Sequence, residues 1–243
     1  MSRILVVTSR LPFPPREGHQ LRAWHVLRAL ASKHEVTLLS FQRNDDLPAE
    51  AAPLHAAMAR VETFRIPGER SRGALARAVL RGTLTPTPFL VAKYDSPALR
   101  DRLAALARDA DLVHFDMLPL FAHADCVPDH VPVTLNAHNV EHRLLATRAR
   151  IETRAWARRF LAGQVAKLEV FERRACERAD AVLACSEVDA QGLRELAPEC
   201  NVHVVANGVD LDSNQPGAHA PDEDRLVFVG QMGWFPNRDG VEW

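Results

Sequence analysis

No apolar run in this 243-residue chain reaches membrane length. The first, residues 4–7, is far too short for a signal peptide or a span, and no later run approaches one. The cytoplasm is the expected location, with attachment at the inner face of a membrane left open. The four cysteines, Cys126, Cys176, Cys185 and Cys200, are scattered without a C-x-x-C pair. They read as buried or incidental thiols in a reducing compartment. Excess charge of either sign is also missing. Lys and Arg number 30 against 31 Asp and Glu, for a net charge of −1, so the overall balance does not call for nucleic acid as a partner. There is no G-x-G-x-x-G, which excludes a dinucleotide fingerprint. There is no internal repeat and no low-complexity tract.

What the chain has is core. Apolar residues make up 47% of it, enough for one large α/β domain or two small ones. Residues 4–8 form a β-branched run that reads as a buried parallel strand. From Gly18 a helical pattern begins, with Leu21, Trp24, Leu27, Leu30 and Ala31 on one face. Strands are predicted at 35–41, 61–66, 111–115, 132–136, 181–184 and 202–206. Helices are predicted at 48–59, 71–81 and 96–108, the last with Ser96 as N-cap and Pro97 in the first helical position. Residues 83–89 carry two prolines and read as a loop. A long amphipathic helix is predicted over 143–178, with Leu161, Val165, Leu168, Phe171 and Ala175 as its apolar stripe. Strand and helix alternate at nearly every step. The predicted fold class is therefore α/β, a Rossmann-like parallel sheet with helices on both faces.

Ligands of such sheets sit beyond the carboxyl ends of the strands. Those ends are residues 9–18, 116–118, 137–142, 185–186 and 207–208. Residues 212–224 are rich in Pro, Gly, Asn and acids with almost no large apolar side chain, and read as a linker. Residues 226–230 then read as a fresh buried strand, 231–237 as a turn and 239–243 as a starting helix.

Five pieces occur in a telling order: Leu11-Pro-Phe-Pro-Pro15 through Gly18 and Arg22; His138-Asn-Val-Glu141; Ala179-Asp-Ala-Val-Leu-Ala-Cys-Ser-Glu187; Val205-Ala-Asn-Gly-Val-Asp210; and Phe228-Val-Gly230 through Pro236-Asn237. Together they resemble the family 4 glycosyltransferases of GT-B type, whose two Rossmann-like domains face each other across a cleft. The nearest variety is the set of bacterial transferases that accompany exopolysaccharide and exosortase loci. The resemblance implies an acceptor-side N-terminal domain over 1–211, the linker 212–224, and over 225–243 the start of a donor-binding domain that the chain leaves incomplete. It implies transfer of a sugar from a nucleotide-diphosphate sugar to a glycan or lipid-linked glycan, with retained configuration and no essential metal or other cofactor. The basic pair that neutralises the leaving diphosphate belongs, in the family, beyond residue 243, so this chain alone is expected to be inactive. A nucleotide-sugar epimerase of the same fold and a non-catalytic acceptor-binding module are the alternatives.

Residue by residue, Gly18 lies where a loop meets a helix N-terminus, which suits a diphosphate; a plain turn glycine satisfies the same pattern. In the family this glycine and Gly230 lie beside the donor phosphates. The same resemblance places His138 near the reacting sugar, as the catalytic candidate. Arg22, Asn139, Glu141, Ser186, Asn207 and Gly208 are candidates for lining the cleft or holding acceptor. Ser186 also suits an N-cap, and Asn207-Gly208 a turn. Residues 138–142 match H-x-x-E-H as well, a zinc motif that works only with its residues on one helix; here it falls on the loop after a strand. Finally, the stretch 143–178 has ten basic residues against four acidic ones. That is either a solvated face or a surface for anionic membrane lipid.

Overall fold

The computed structural model describes residues 1–42, 52–212, 214–215, 217, 224–230, 232–233 and 235–242. By contacts the chain divides into two units, Met1–Asn207 and Gly208–Trp243. The first holds a seven-stranded sheet: β1 (Arg3–Thr8), β2 (Glu35–Gln42), β3 (Arg60–Arg65), β4 (Leu112–Asp116), β5 (Val133–Ala137), β6 (Ala181–Ala184) and β7 (Val202–Val204). The order is β3-β2-β1-β4-β5-β6-β7, and every pairing is parallel. The chain winds outward from β1 to β3, returns to β4 beside β1, and winds out the other way. That reversal makes the β1/β4 boundary the switch point of the sheet, where a crevice opens at the carboxyl ends.

Side chains alternate across the strands, so one run feeds two cores. Ile4 and Val6 face the side covered by α1 (Gly18–Ala31) and α2 (Ala52–Ala57), with Trp24, Leu27 and Leu54. Leu5 and Val7 face the opposite side, with Phe41, Phe115 and Leu135. That side is covered by α5 (Pro97–Ala107), α7 (Ala155–Arg178) and α8 (Glu187–Leu196). Helices thus lie on both faces, as the alternation predicts. The loop after β1, with a cis Phe13–Pro14 bond, folds over α1, placing Phe13 against Trp24 at 4.8 Å between ring centroids.

Ser96 caps α5, its hydroxyl accepting from the Leu99 N–H at 3.3 Å, with Pro97 first in the helix. Three local predictions need correction. The proline-containing segment 83–89 is shorter as a loop: α3 (Arg72–Leu84) runs into it and α4 (Phe89–Tyr94) starts at its end. Lys167 holds the turn by donating from Nζ to the carbonyls of Gly82, Thr83 and Thr85. The long helix over 143–178 is two helices, α6 (Glu141–Ile151) and α7, broken at Glu152, whose carboxylate accepts from the Arg154 backbone and guanidinium. The buried stripe of α7 is also rotated from the expected one: Ala157, Gln164, Leu168, Glu172, Ala175 and Cys176 are inside. Two polar residues sit there because each satisfies backbone groups of a neighbouring element. Gln164 accepts from the Phe89 N–H at 2.7 Å and donates to the Gly82 carbonyl at 2.9 Å.

In the second unit, residues 225–229 have no regular structure, and Leu226 is fully exposed. The strand expected at 226–230 does not form, because this unit pairs it with no other strand among the described residues. A helix, α9 (Phe235–Glu242), starts earlier than expected. The proposed linker, residues 212–224, lies largely outside the described residues.

Candidate active site

β4 and β5 run side by side, with Phe115 opposite Leu135, so Asp116 and Asn136 meet at the carboxyl ends. Asn136 donates from Nδ2 to Asp116 Oδ1 at 2.6 Å, and His138 Nε2 approaches the same oxygen at 3.0 Å. A carboxylate only accepts, so His138 carries a proton on Nε2. From the second turn of α1, Arg22 donates to Asn136 Oδ1 at 3.3 Å and to Asn207 Oδ1 at 2.9 Å. A continuous polar chain therefore runs Asn207–Arg22–Asn136–Asp116–His138, tying α1 to the ends of β4 and β5 and to the segment after β7. Met117, next to Asp116, holds φ at 147°. That is a costly conformation for a residue with a side chain, of order 1–3 kcal/mol, and such strain gathers at functional sites.

Asp116 is 3% exposed. Burial alone pushes its pKa up, but the bond to His138, the imidazolium charge and the bond from Asn136 together bring it below the ordinary value. Burial likewise disfavours the charged His138, yet the bonds to Asp116 and Cys185 outweigh it and lift the pKa to about 10. At neutral pH the pair is a carboxylate and an imidazolium. Nearby His114, bonded to Thr134 Oγ1 at 2.8 Å, is held below its ordinary pKa by burial. So is His19, whose ring lies edge-on to His138 at 6.4 Å.

Gly18 opens α1 with φ in the ordinary negative range, and a Cβ added there would meet nothing within 4 Å. Neither backbone nor packing requires a glycine, so what it preserves is open space beside the helix N-terminus. The preceding loop is fixed by Gln20, which accepts from the Glu17 and Arg16 N–H groups and donates to the Leu11 carbonyl.

Glu141 begins α6, and its N–H donates to Glu172 Oε1 at 2.8 Å. His142 donates to the same carboxylate from its backbone and approaches it with Nδ1 at 2.7 Å. Burial, then the Glu172 charge, push the Glu141 carboxyl up to about 7, against the pull of a hydrogen bond from Asn139 and of His138. Residues 138–140 precede the helix, so His138 and His142 do not share a helical face, and the zinc motif is not assembled. Ser186 is the N-cap of α8, accepting from the Asp189 N–H at 3.1 Å and donating to the Asp189 carboxylate. Asn207 joins the polar chain. Gly208 and Gly230 fall in the second unit; a Cβ at Gly230 would meet the Phe228 ring at 2.7 Å. Three partners escaped sequence reasoning: Asp116, Asn136 and Glu172. For Asp116 and Asn136 the available signal was a polar residue at the end of a buried strand. For Glu172 there was none.

A model of the family described as Glycosyltransferase Family 4 matches residues 16–213. The chain belongs to glycosyltransferase family 4. No curated protein matches it. Among solved structures it resembles HepE of Anabaena, a crystal structure in complex with UDP and glucose, with 16% identity, TM-score 0.51, and coverage of 87% of this chain and 46% of that one. It also resembles sucrose-phosphate synthase of Thermosynechococcus elongatus, with 15% identity, TM-score 0.56, and coverage of 89% and 51%. At these identities the likeness is one of fold, that of GT-B glycosyltransferases. The family 4 chain spans about half the length of the structures it matches.

Proposed function

We propose that this chain is the acceptor-side half of a transferase that moves a sugar from a nucleotide-diphosphate sugar to a hydroxyl of a glycan or lipid-linked glycan, with retention of configuration. Family membership supports the reaction class. The observation that carries the site is the Asp116–His138 ion pair, standing at the switch point of the sheet beside the open space at Gly18. Departure of a nucleoside diphosphate concentrates negative charge, and fixed positive groups in a low-dielectric cleft stabilise it. His138 supplies such a charge without having to gain a proton during the reaction, because Asp116 holds it protonated. Arg22 adds a second cation whose partners are amide oxygens, Asn136 and Asn207. At the N-terminus of α1 the Glu17 carboxylate takes the Gln20 N–H, which leaves the N–H groups of Gly18 and His19 to face a phosphate oxygen. Asn139 and the partly protonated Glu141 offer hydrogen-bonding groups for acceptor hydroxyls. Setting the chain among exopolysaccharide-type transferases is part of the same proposal and rests on the Pro-Phe-Pro-Pro and His-Asn-Val-Glu segments.

The test uses the full-length gene product with UDP-, GDP- and ADP-sugars and a lipid-linked glycan extract. Nucleoside diphosphate release with label appearing in the glycan supports the proposal. His138→Gln should lower kcat/KM by about 10²–10³, the scale of losing one fixed donor. Epimerised free sugar without transfer, or no turnover of any donor, refutes it. The 243-residue chain alone should transfer nothing.

A further inference from the structure

We propose that His19 is a further binding residue of the cleft, which takes up a proton to hold the donor's diphosphate between its ring and that of His138. This deepens the reading above, in which the cleft takes a nucleotide-diphosphate sugar, and rests on it. Two histidines meet at the switch point of the sheet. His19 stands in the first turn of α1 and His138 after β5, with ring planes at 86° and centroids 6.4 Å apart. Their states differ. His138 is a fixed cation on Asp116. His19 Nδ1 lies 3.4 Å from Glu17 Oε2. A carboxylate only accepts, so in the neutral ring the proton sits on Nδ1 and Nε2 carries a bare lone pair. That nitrogen has no hydrogen-bond partner among the described residues. Glu17 is itself fixed, since its carboxylate takes the Gln20 N–H and lies 3.4 Å from the Arg10 guanidinium. The His19 side chain is 25% exposed, so the ring is within reach of a ligand.

Charged groups face His19 from the loop after β1, from β4 and from the loop after β5. Burial is the largest influence and lowers its pKa. Glu17 and Asp116 pull it up, His138 and Arg10 push it down, and the balance falls below the ordinary value. The free protein therefore presents a neutral ring at pH 7. A phosphate oxygen offers lone pairs, and so does the bare Nε2, so the two repel as they stand. One proton turns that contact into a charge-assisted N–H···O bond. The diphosphate brings the field that draws it in, because two negative charges beside the ring outweigh the cations that keep it neutral. His138 cannot take that role, since it is already charged and its Nε2 proton is held by Asp116. There is room for the ligand, since a Cβ on the adjacent Gly18 would meet nothing within 4 Å.

Calorimetry of the full-length gene product with UDP-, GDP- and ADP-sugars tests it, in paired buffers of different ionisation enthalpy. These donors are diphosphate diesters without the second phosphate pKa near 6 of a monoester, so any proton taken up goes to the protein. We expect uptake of up to about one proton per ligand near pH 7, and an affinity that falls up to about tenfold per pH unit until the bound ring titrates. Glu141 also titrates near neutrality, so carbon NMR of the imidazoles assigns the proton: the His19 midpoint should lie below 6.5 in the free protein and above about 7 with ligand bound. His19→Gln should weaken binding about tenfold to hundredfold near pH 6.5 and less than about threefold near pH 9, the scale of one hydrogen bond to a charged group. His25→Gln, on the exposed side of α1, should leave both proton uptake and affinity unchanged. Circular dichroism and melting confirm that each variant folds. A His19 midpoint that the ligand does not raise, equal proton uptake in His19→Gln, a loss in that variant independent of pH, or no binding of any donor overturns the proposal. Transfer by a protein whose His19 stays neutral would sink this inference and leave the transferase reading standing. Proton-linked binding at His19 without transfer would do the reverse.

Discussion

Replacing Asp116 by Asn should remove most of a pH dependence of stability that the Asp116–His138 pair confers. The signs follow from linkage. His138 has a folded pKa raised from the ordinary 6.5 to about 10. Its contribution is therefore complete below pH 6.5 and is lost as pH rises towards 10. Asp116 has a pKa held below the ordinary 3.8, so its contribution is present above that value and is lost as pH falls. The pair stabilises fully across the plateau between. The span from 6.5 to about 10 corresponds to about 5 kcal/mol at about 1.36 kcal/mol per pH unit. Side-chain exposures of 12% for His138 and 5% for Asp116 leave little solvent screening to discount. Breaking a buried pair by removing one partner costs about 3–5 kcal/mol, a consistent range.

The assay is urea unfolding followed by circular dichroism at several pH values from 6 to 10, for wild type and Asp116→Asn. Subtracting the profiles cancels other titrating groups. We expect a difference of about 3–5 kcal/mol near pH 6 that shrinks towards pH 10. In the variant, burial acts on His138 unopposed by the carboxylate, so its pKa should fall below 6.5. NMR of the imidazole carbons reads that directly. A wild-type His138 midpoint near or below neutrality, or a pH-independent difference between the two proteins, would refute the reasoning.

Other expectations follow from single side chains. Glu141→Gln should stabilise the chain at pH 8 by up to about 3 kcal/mol and have little effect near pH 4, because a carboxyl raised from 4.5 to about 7 costs stability as pH climbs through that interval; urea midpoints at the two pH values check it. Gly82→Ala should lower the melting temperature by several degrees, about 1–3 kcal/mol, because its Cβ would stand 2.7 Å from Phe89 Cα, with both backbones fixed by Gln164. Gly18→Ala should leave the melting temperature unchanged or slightly raised, since its Cβ meets nothing, yet weaken nucleotide-sugar binding by the full-length protein in calorimetry. Unaltered binding would remove Gly18 from the site.

Much of the sheet was legible because buried parallel strands are short β-branched runs. Residues 4–8 are the clear case, four of the five being β-branched, and the cap at Ser96 follows from a hydroxyl before proline. The hairpin break at Glu152 was not legible, since an acid bonded by its neighbour's guanidinium looks like any exposed helical residue. The rotated stripe of α7 was hidden for a related reason. Val165 and Phe171 match an apolar pattern better than Gln164 and Glu172, whose place inside depends on carbonyls and N–H groups of elements remote in sequence. At the site, His138 was visible as a histidine at a strand end, but its charge was not. That charge comes from Asp116, on a neighbouring strand with no fixed sequence offset.

The same logic explains why the two carboxyl groups near the His138 loop behave oppositely. Asp116 is more buried than Glu141, yet it is the one held ionised, because three polar neighbours, Asn136, His138 and His114, face it. Glu141 meets a second carboxylate, Glu172, whose oxygens are already taken by the two N–H groups and the imidazole at the start of α6. Moving those donors to Glu141 would invert its behaviour. Environments that push paired carboxyls apart mark a division of roles. Under the proposed function, the ionised member lies behind the imidazolium, whose fixed positive charge would face a departing phosphate. The half-protonated member lies at the helix start, able to donate to or accept from a sugar hydroxyl. Glu172, remote in sequence and buried in α7, thus adds its charge to the burial that is the larger cause of the Glu141 shift, and Glu172→Gln should lower the Glu141 midpoint from about 7 while leaving the part due to burial. A carbon NMR titration in which that midpoint stays near 7 would show that burial alone accounts for it, and that the division of roles is accidental.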